Sequence, residues 1–143
     1  MEYEAERSTD ASAAAVWEAF TDIEAWPELT PSVRTARRLD AGPLRVGSRA
    51  RVKQPGLLPT TWRVIDLDLG RSFTWQTRAL GITTTAGHKV FESRAGTRLV
   101  LTLRQTGPLA GVFSALYRRR TRRYVDLEAQ GLVAAAEKRA TGL

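Results

Sequence analysis

The end of the chain limits its possible folds more than any other stretch does. After Gly107-Pro108 no turn signal interrupts it, and residues 109–138 read as one helix of about 30 residues. At about 1.5 Å per residue it is roughly 45 Å long. Such a helix must bury an apolar stripe against something large. Upstream lies one candidate. Short runs rich in Val, Thr, Leu and Trp fall at 33–39, 47–54, 60–69, 71–79, 82–93 and 97–106. They are broken at Ala41-Gly42-Pro43, Gln54-Pro55-Gly56, Gly70-Arg71, Gly81 and Ala95-Gly96. Connections this short favour antiparallel neighbours.

The first thirty residues complete the plan. Residues 2–9 alternate, with Tyr3, Ala5 and Arg7 opposite acids, and predict a seventh strand. Ser8-Thr9-Asp10-Ala11-Ser12 supplies cap residues for a helix over 12–20, with Ala15, Val16, Ala19 and Phe20 as its apolar stripe. Asp22 is placed to cap a second short helix that ends near Trp26-Pro27, because the residue before proline disfavours helix. The expectation is an α+β domain over 1–143. Its seven-stranded antiparallel sheet curves around the C-terminal helix, and two short helices follow strand one.

Composition removes several chemistries. There is no cysteine, which excludes disulfides, thiol nucleophiles and cysteine-ligated metals. His88 is the only histidine, so the chain alone cannot build a two-histidine metal site. No G-x-G-x-x-G, P-loop or G-x-S-x-G occurs. Asp66-Leu67-Asp68-Leu69-Gly70 lacks the further ligands of a calcium loop. No cofactor and no metal are expected.

Charge is split along the chain. Residues 1–30 carry eight acids and one base, while the remainder carries 21 bases and seven acids. The run Arg118-Arg119-Arg120-Thr121-Arg122-Arg123 could meet phosphates or anionic lipid, or be a solvated helix face. It lacks interleaved stacking aromatics, so nucleic acid is not an expected partner; weak contact with an anionic membrane surface stays open. The acidic start has no apolar leader core, and no stretch approaches the ~18 apolar residues of a membrane span. The expected location is the cytoplasm. Oligomeric state is not readable.

Local motifs now carry a resemblance. Val16-Trp17 followed by Phe20-Thr21-Asp22-Ile23-Glu24-Ala25-Trp26-Pro27-Glu28 resembles the first helix and D-hydrophobic-x-x-W-P turn of the polyketide cyclase/dehydrase group. Pro31-Ser32-Val33 continues it, and Gly47-Ser48 and Ala95-Gly96-Thr97-Arg98-Leu99 resemble the group's later turns. The order of elements is similar to the helix-grip fold of the START-like (SRPBCC) superfamily. That resemblance spans essentially the whole chain. It implies a deep cavity between sheet and C-terminal helix, usually for an apolar small molecule. Known members include lipid carriers, hormone receptors, quinone-handling proteins and aromatase/cyclases, so the resemblance predicts a pocket better than a reaction.

Strand alternation says which side chains would line such a pocket. Trp62 shares one face with Val64; Phe73, Trp75 and Thr77 share another. Thr84, Ala86 and His88 go together, as do Leu101 and Leu103. At about 100° per residue, Leu109, Phe113, Leu116, Tyr124, Leu127 and Gly131 fall on one side of the helix, with Arg120 at the stripe's centre. The expected ligand set is therefore Trp62, Phe73, Trp75, Thr77, Thr84, Ala86, His88, Leu101, Leu103, Phe113, Leu116, Arg120 and Tyr124. Thr84 and Ala86, being small beside Trp75, would leave room.

Two residues carry the chemistry. Arg120 could clamp a ligand carboxylate, phenolate or carbonyl, or form a structural pair with a sheet carboxylate such as Asp66, or snorkel outward. His88 could act as general acid or base for enolisation, aldol cyclisation or dehydration, with Arg120 or Tyr124 steadying an enolate. Otherwise it is a cavity-wall histidine bonded to ligand, water or Tyr124. The leading expectation is binding of a hydrophobic or aromatic small molecule (lipid, polyketide or quinone-like). The alternative is a polyketide cyclase/aromatase or dehydratase-type enzyme using His88.

Overall fold

The computed structural model describes residues 1–140, and the last three residues of the expected 1–143 domain lie outside them. The chain runs β1 (Glu2–Thr9), α1 (Ala13–Thr21), a 3-10 turn (Ile23–Ala25) and α2 (Trp26–Leu29). It continues through β2 (Thr35–Arg38), β3 (Arg49–Lys53), β4 (Thr60–Asp68), β5 (Ser72–Ala79), β6 (Ile82–Ser93) and β7 (Gly96–Thr106) to α3 (Ala110–Ala140). The seven strands form one sheet in the order β1-β7-β6-β5-β4-β3-β2, antiparallel at every pairing. This is the expected helix-grip architecture.

Local chemistry explains the elements. Ser12 caps α1 by accepting from the Ala15 N–H at 3.1 Å. The second short helix differs from expectation. Pro27 sits in the first turn of α2 rather than ending a helix, and Asp22 makes no side-chain cap. Proline lacks an N–H, so the first helical turn, whose N–H groups have no intrahelical partner, accepts it without loss. The register between β4 and β5 slips between Val64 and Asp66, a bulge that adds twist where the sheet must curve.

The core lies where α1 and the C-terminal half of α3 meet β1, β5, β6 and β7. Val16, Phe20, Phe73, Leu99, Ala129, Leu132 and Ala136 are fully or almost fully buried there. At its C-terminal end α3 is tied to α1 by Arg139, which bonds Asp22 at 2.8 Å and lies 3.6 Å from Glu18. The close approaches of α3 are to α1, α2, β1 and β7. Over the middle strands the helix stands off, and the gap is the site.

The buried face of α3 is one residue away from the expected stripe. Ser114, Val125, Ala129, Leu132 and Ala136 are buried, whereas Leu116 is 73% exposed and Leu109 is 49% exposed. One position is about 100° of rotation. The side chains that meet the sheet are small because the helix comes close there; the large apolar ones in the first turns border an opening.

Candidate functional site

Between the sheet and the N-terminal half of α3 lies a cavity of about 490 Å³. Its walls are mostly apolar: Trp26 from α2, Trp62 from β4, Trp75 from β5, Ala86 from β6, Leu103 from β7, and Phe113 and Val125 from α3. Polar side chains are spaced around it: Gln54 and Thr60 at the β3–β4 loop, Thr77, Thr84 and Gln105 on the sheet, and Tyr117, Thr121, Tyr124 and Glu128 on α3. Glu128 is the one carboxylate on the wall. A volume of this size with spaced polar groups on apolar walls suits a small organic ligand.

His88 lies behind that wall. It is 2% exposed, and its ring stacks on Phe73 at 4.2 Å with 7° between planes. Phe20, Trp26 and Trp75 enclose it at 5.6, 5.6 and 5.9 Å. Its Nε2 lies 3.2 Å from Glu128 Oε1, while its Nδ1 is buried without a partner. The imidazole therefore orients the carboxylate, and the carboxylate faces the cavity. Glu128 keeps a second oxygen for whatever the chamber holds.

Of the residues expected from the sequence, Trp62, Trp75, Thr77, Thr84, Ala86, Leu103, Phe113 and Tyr124 line the cavity together. Phe73 and Leu101 are buried in the core behind it. His88 is one layer back, because the Trp26 and Trp75 rings fill the space in front of it. Leu116 and Arg120 are outside. Arg120 is exposed; its guanidinium lies 5.6 Å over the Tyr117 ring and packs against Gly56. It pairs with neither Asp66 nor any other described carboxylate. Tyr124 donates its hydroxyl to the Pro55 carbonyl rather than to His88, so it pins the β3–β4 loop to α3.

Strand alternation also puts Gln105 on the inward face with Leu101 and Leu103, and it lines the cavity; no such sign marks Glu128, Trp26, Tyr117, Thr121 or Val125 in the sequence. Glutamate on a long helix ordinarily reads as solvated. The available signal was the spacing Tyr117, Thr121, Tyr124 and Glu128, which repeats at four and three residues and marks one helix face. Among the described residues no cluster of three His, Asp or Glu side chains could hold a metal ion. No helix among them is long and apolar enough to cross a membrane.

A curved antiparallel sheet closed by one long helix over an apolar chamber defines the helix-grip class. The chain belongs to the polyketide cyclase / dehydrase and lipid transport family, whose model matches residues 1–137. Nothing among curated proteins matches it. Among solved structures it is similar to the hypothetical protein jhp0584 from Helicobacter pylori, at 14% identity over 94% of this chain and 86% of that one, with a TM-score of 0.79. It is similar to the Zhui aromatase/cyclase from Streptomyces sp. R1128, at 21% identity over 97% and 94%, TM-score 0.77. It also matches the di-domain ARO/CYC BexL from the BE-7585A biosynthetic pathway at 15% identity, TM-score 0.73. There it covers 98% of this chain but half of the other.

Proposed function

We propose that this protein binds a hydrophobic or aromatic small molecule, lipid-, polyketide- or quinone-like, in the cavity beneath α3. The observation that carries the reading is the wall itself: three tryptophans and aliphatic side chains around a single carboxylate that His88 holds in place. The apolar walls supply affinity through area removed from water. Glu128 and the spaced hydroxyls orient a ligand hydroxyl or carbonyl.

The test is calorimetric titration with 2-naphthol, a naphthoquinone and a medium-chain fatty acid. At least one should bind saturably, and Ala86→Trp, which fills the chamber, should abolish the heat. For 2-naphthol, Glu128→Gln should weaken binding roughly tenfold by removing a charge-assisted acceptor. No saturable binding by any of the three refutes the reading.

The His88–Glu128 pair favours a second reading, a cyclase/aromatase or dehydratase-type activity. In it Glu128 is the group in contact with substrate and His88 positions it. Arg120 plays no part, because it stands outside. Here Glu128→Gln would remove turnover while leaving substrate binding within about tenfold, a split a pure carrier would not show.

A further inference from the structure

We infer that the mouth of the cavity docks onto an anionic lipid surface. Three segments frame the opening: the β3–β4 loop with Leu57, Leu58 and Pro59, the β5–β6 turn with Leu80, and the first turns of α3 with Phe113 and Tyr117. Of the nine large apolar side chains that stand exposed among the described residues, five sit on these segments: Leu58, Leu80, Leu109, Val112 and Leu116. Leu58 is 68% exposed and Leu80 72% exposed. Leu109 lies against Gly81 on one side of the mouth. Val112 and Leu116 continue the helix face on which Arg120 meets Gly56 of the β3–β4 loop. Clustered exposed apolar side chains are unusual enough in a monomer to mark an interaction surface.

The β5–β6 turn adds an independent observation. Leu80 and Gly81 both have positive φ, 54° and 75°. That is the two-residue hairpin turn in which asparagine or glycine is the comfortable first residue. A leucine there is strained and gains nothing from burial. Its side chain instead projects into solvent beside the opening.

Charge selects the partner. Residues 54–59, 77–84 and 105–125, which include the segments around the mouth, contain six arginines and no carboxylate; Arg120 stands at the mouth itself against Gly56, while Arg122 lies over the Tyr3 ring of β1. The arginines are Arg78, Arg118, Arg119, Arg120, Arg122 and Arg123. None of them forms an ion pair among the described residues. Leucines that enter the acyl boundary, with guanidiniums at headgroup level, are the arrangement an anionic bilayer binds. The loop is held ready for it: Lys53 Nζ donates to the Gln54 and Leu57 carbonyls, and Tyr124 donates to the Pro55 carbonyl, while Leu58 stands exposed. The docking does not depend on what the cavity holds; the passage of an apolar ligand from bilayer to chamber rests on the binding reading above.

The experiment is co-sedimentation with vesicles of phosphatidylcholine alone and of phosphatidylcholine with about one third phosphatidylglycerol. The expected result is at least roughly tenfold stronger partition onto the anionic vesicles at low salt, suppressed as salt rises. Leu80→Asn with Leu116→Ser should lower that partition by about tenfold or more. Its melting temperature should stay level or rise, because asparagine relieves the strained turn. Three results overturn the inference. The first is no partition onto anionic vesicles at low salt. The second is unchanged partition by the folded double variant, which would place the contact elsewhere. The third is a leucine-dependent dimer in sedimentation without vesicle binding, which would assign the patch to a second copy of the chain.

Discussion

Substituting Gly131 by alanine sets two opposed effects against each other. Gly131 lies in the middle of α3, where glycine costs about 1 kcal/mol relative to alanine. Propensity alone therefore predicts a stabler protein. The structure predicts the reverse. A Cβ at Gly131 would stand 2.3 Å from the Leu29 carbonyl oxygen and 3.0 Å from its carbon. Those are backbone atoms, so α2 or α3 would have to retreat by about 1 Å, and overpacking of this kind costs about 1–3 kcal/mol, occasionally more. Trp26, also in α2, packs on Trp75 at 5.3 Å, and both line the cavity. The retreat therefore disturbs the wall as well. Set against the propensity gain, the net is a loss of up to about 2 kcal/mol, which should lower Tm by up to about 6 °C for a domain of this size. Gly111 supplies the control: it lies in the same helix and its Cβ would meet nothing within 4 Å. Gly111→Ala should raise Tm by about 1–3 °C, with the smaller gain reflecting its place in the first turn. Thermal unfolding by circular dichroism of both variants is the assay. If both raise Tm alike, the close α2–α3 approach is refuted.

Three further outcomes follow from named contacts. His88→Ala should cost about 2–4 kcal/mol in chemical denaturation, since it empties a buried stacked site and strips Glu128 of its partner. His88→Phe, which keeps the stack on Phe73 but likewise strips Glu128, should cost about 1–2 kcal/mol less than His88→Ala; equal losses would show that the stack contributes nothing. Arg120→Ala should leave 2-naphthol affinity unchanged within about twofold; a loss of tenfold or more would put that guanidinium inside. The Asp40 carboxyl is held below its ordinary range by the Arg49 backbone N–H at 2.8 Å and, secondarily, by Arg38 at 2.8 Å. A depressed folded pKa stabilises the fold above the unfolded value near 3.8. That contribution is lost as pH falls through the folded value, so acid unfolding of wild type below about pH 4 should show a step of under about 1 kcal/mol that is absent in Asp40→Asn.

The strands were legible because their punctuation is chemical. Gly42, Gly56, Gly70, Gly81 and Gly96 occupy positive-φ positions at or beside the turns, and the runs between them became β2 to β7 with ends shifted by a few residues at most. Strand faces were legible too, since period-two alternation survives even the Val64–Asp66 bulge for Trp62, Phe73, Trp75 and His88. The helix face was not. Leu109 and Leu116, just before and within the first turns of α3, suggested its stripe, but they frame an opening, and the packed face is built from Ser114, Val125, Ala129 and Ala136. Sequence weight follows hydrophobicity, whereas close helix–sheet packing favours small side chains. Arg120 followed that stripe and is outside with it. Glu128 was hidden for the opposite reason: a glutamate on a helix face reads as solvated, and its pairing with a histidine 40 positions away is what sets it apart.

The most direct measurement is native mass spectrometry of the protein gently purified from its own organism, beside the denatured protein and the Ala86→Trp variant. The account predicts an added mass of an apolar small molecule that disappears on denaturation and is absent from the variant with the filled chamber. The same added mass on Ala86→Trp would place the ligand outside the cavity and contradict the central claim. So would a bare wild-type protein that also takes up neither 2-naphthol, the naphthoquinone nor the fatty acid.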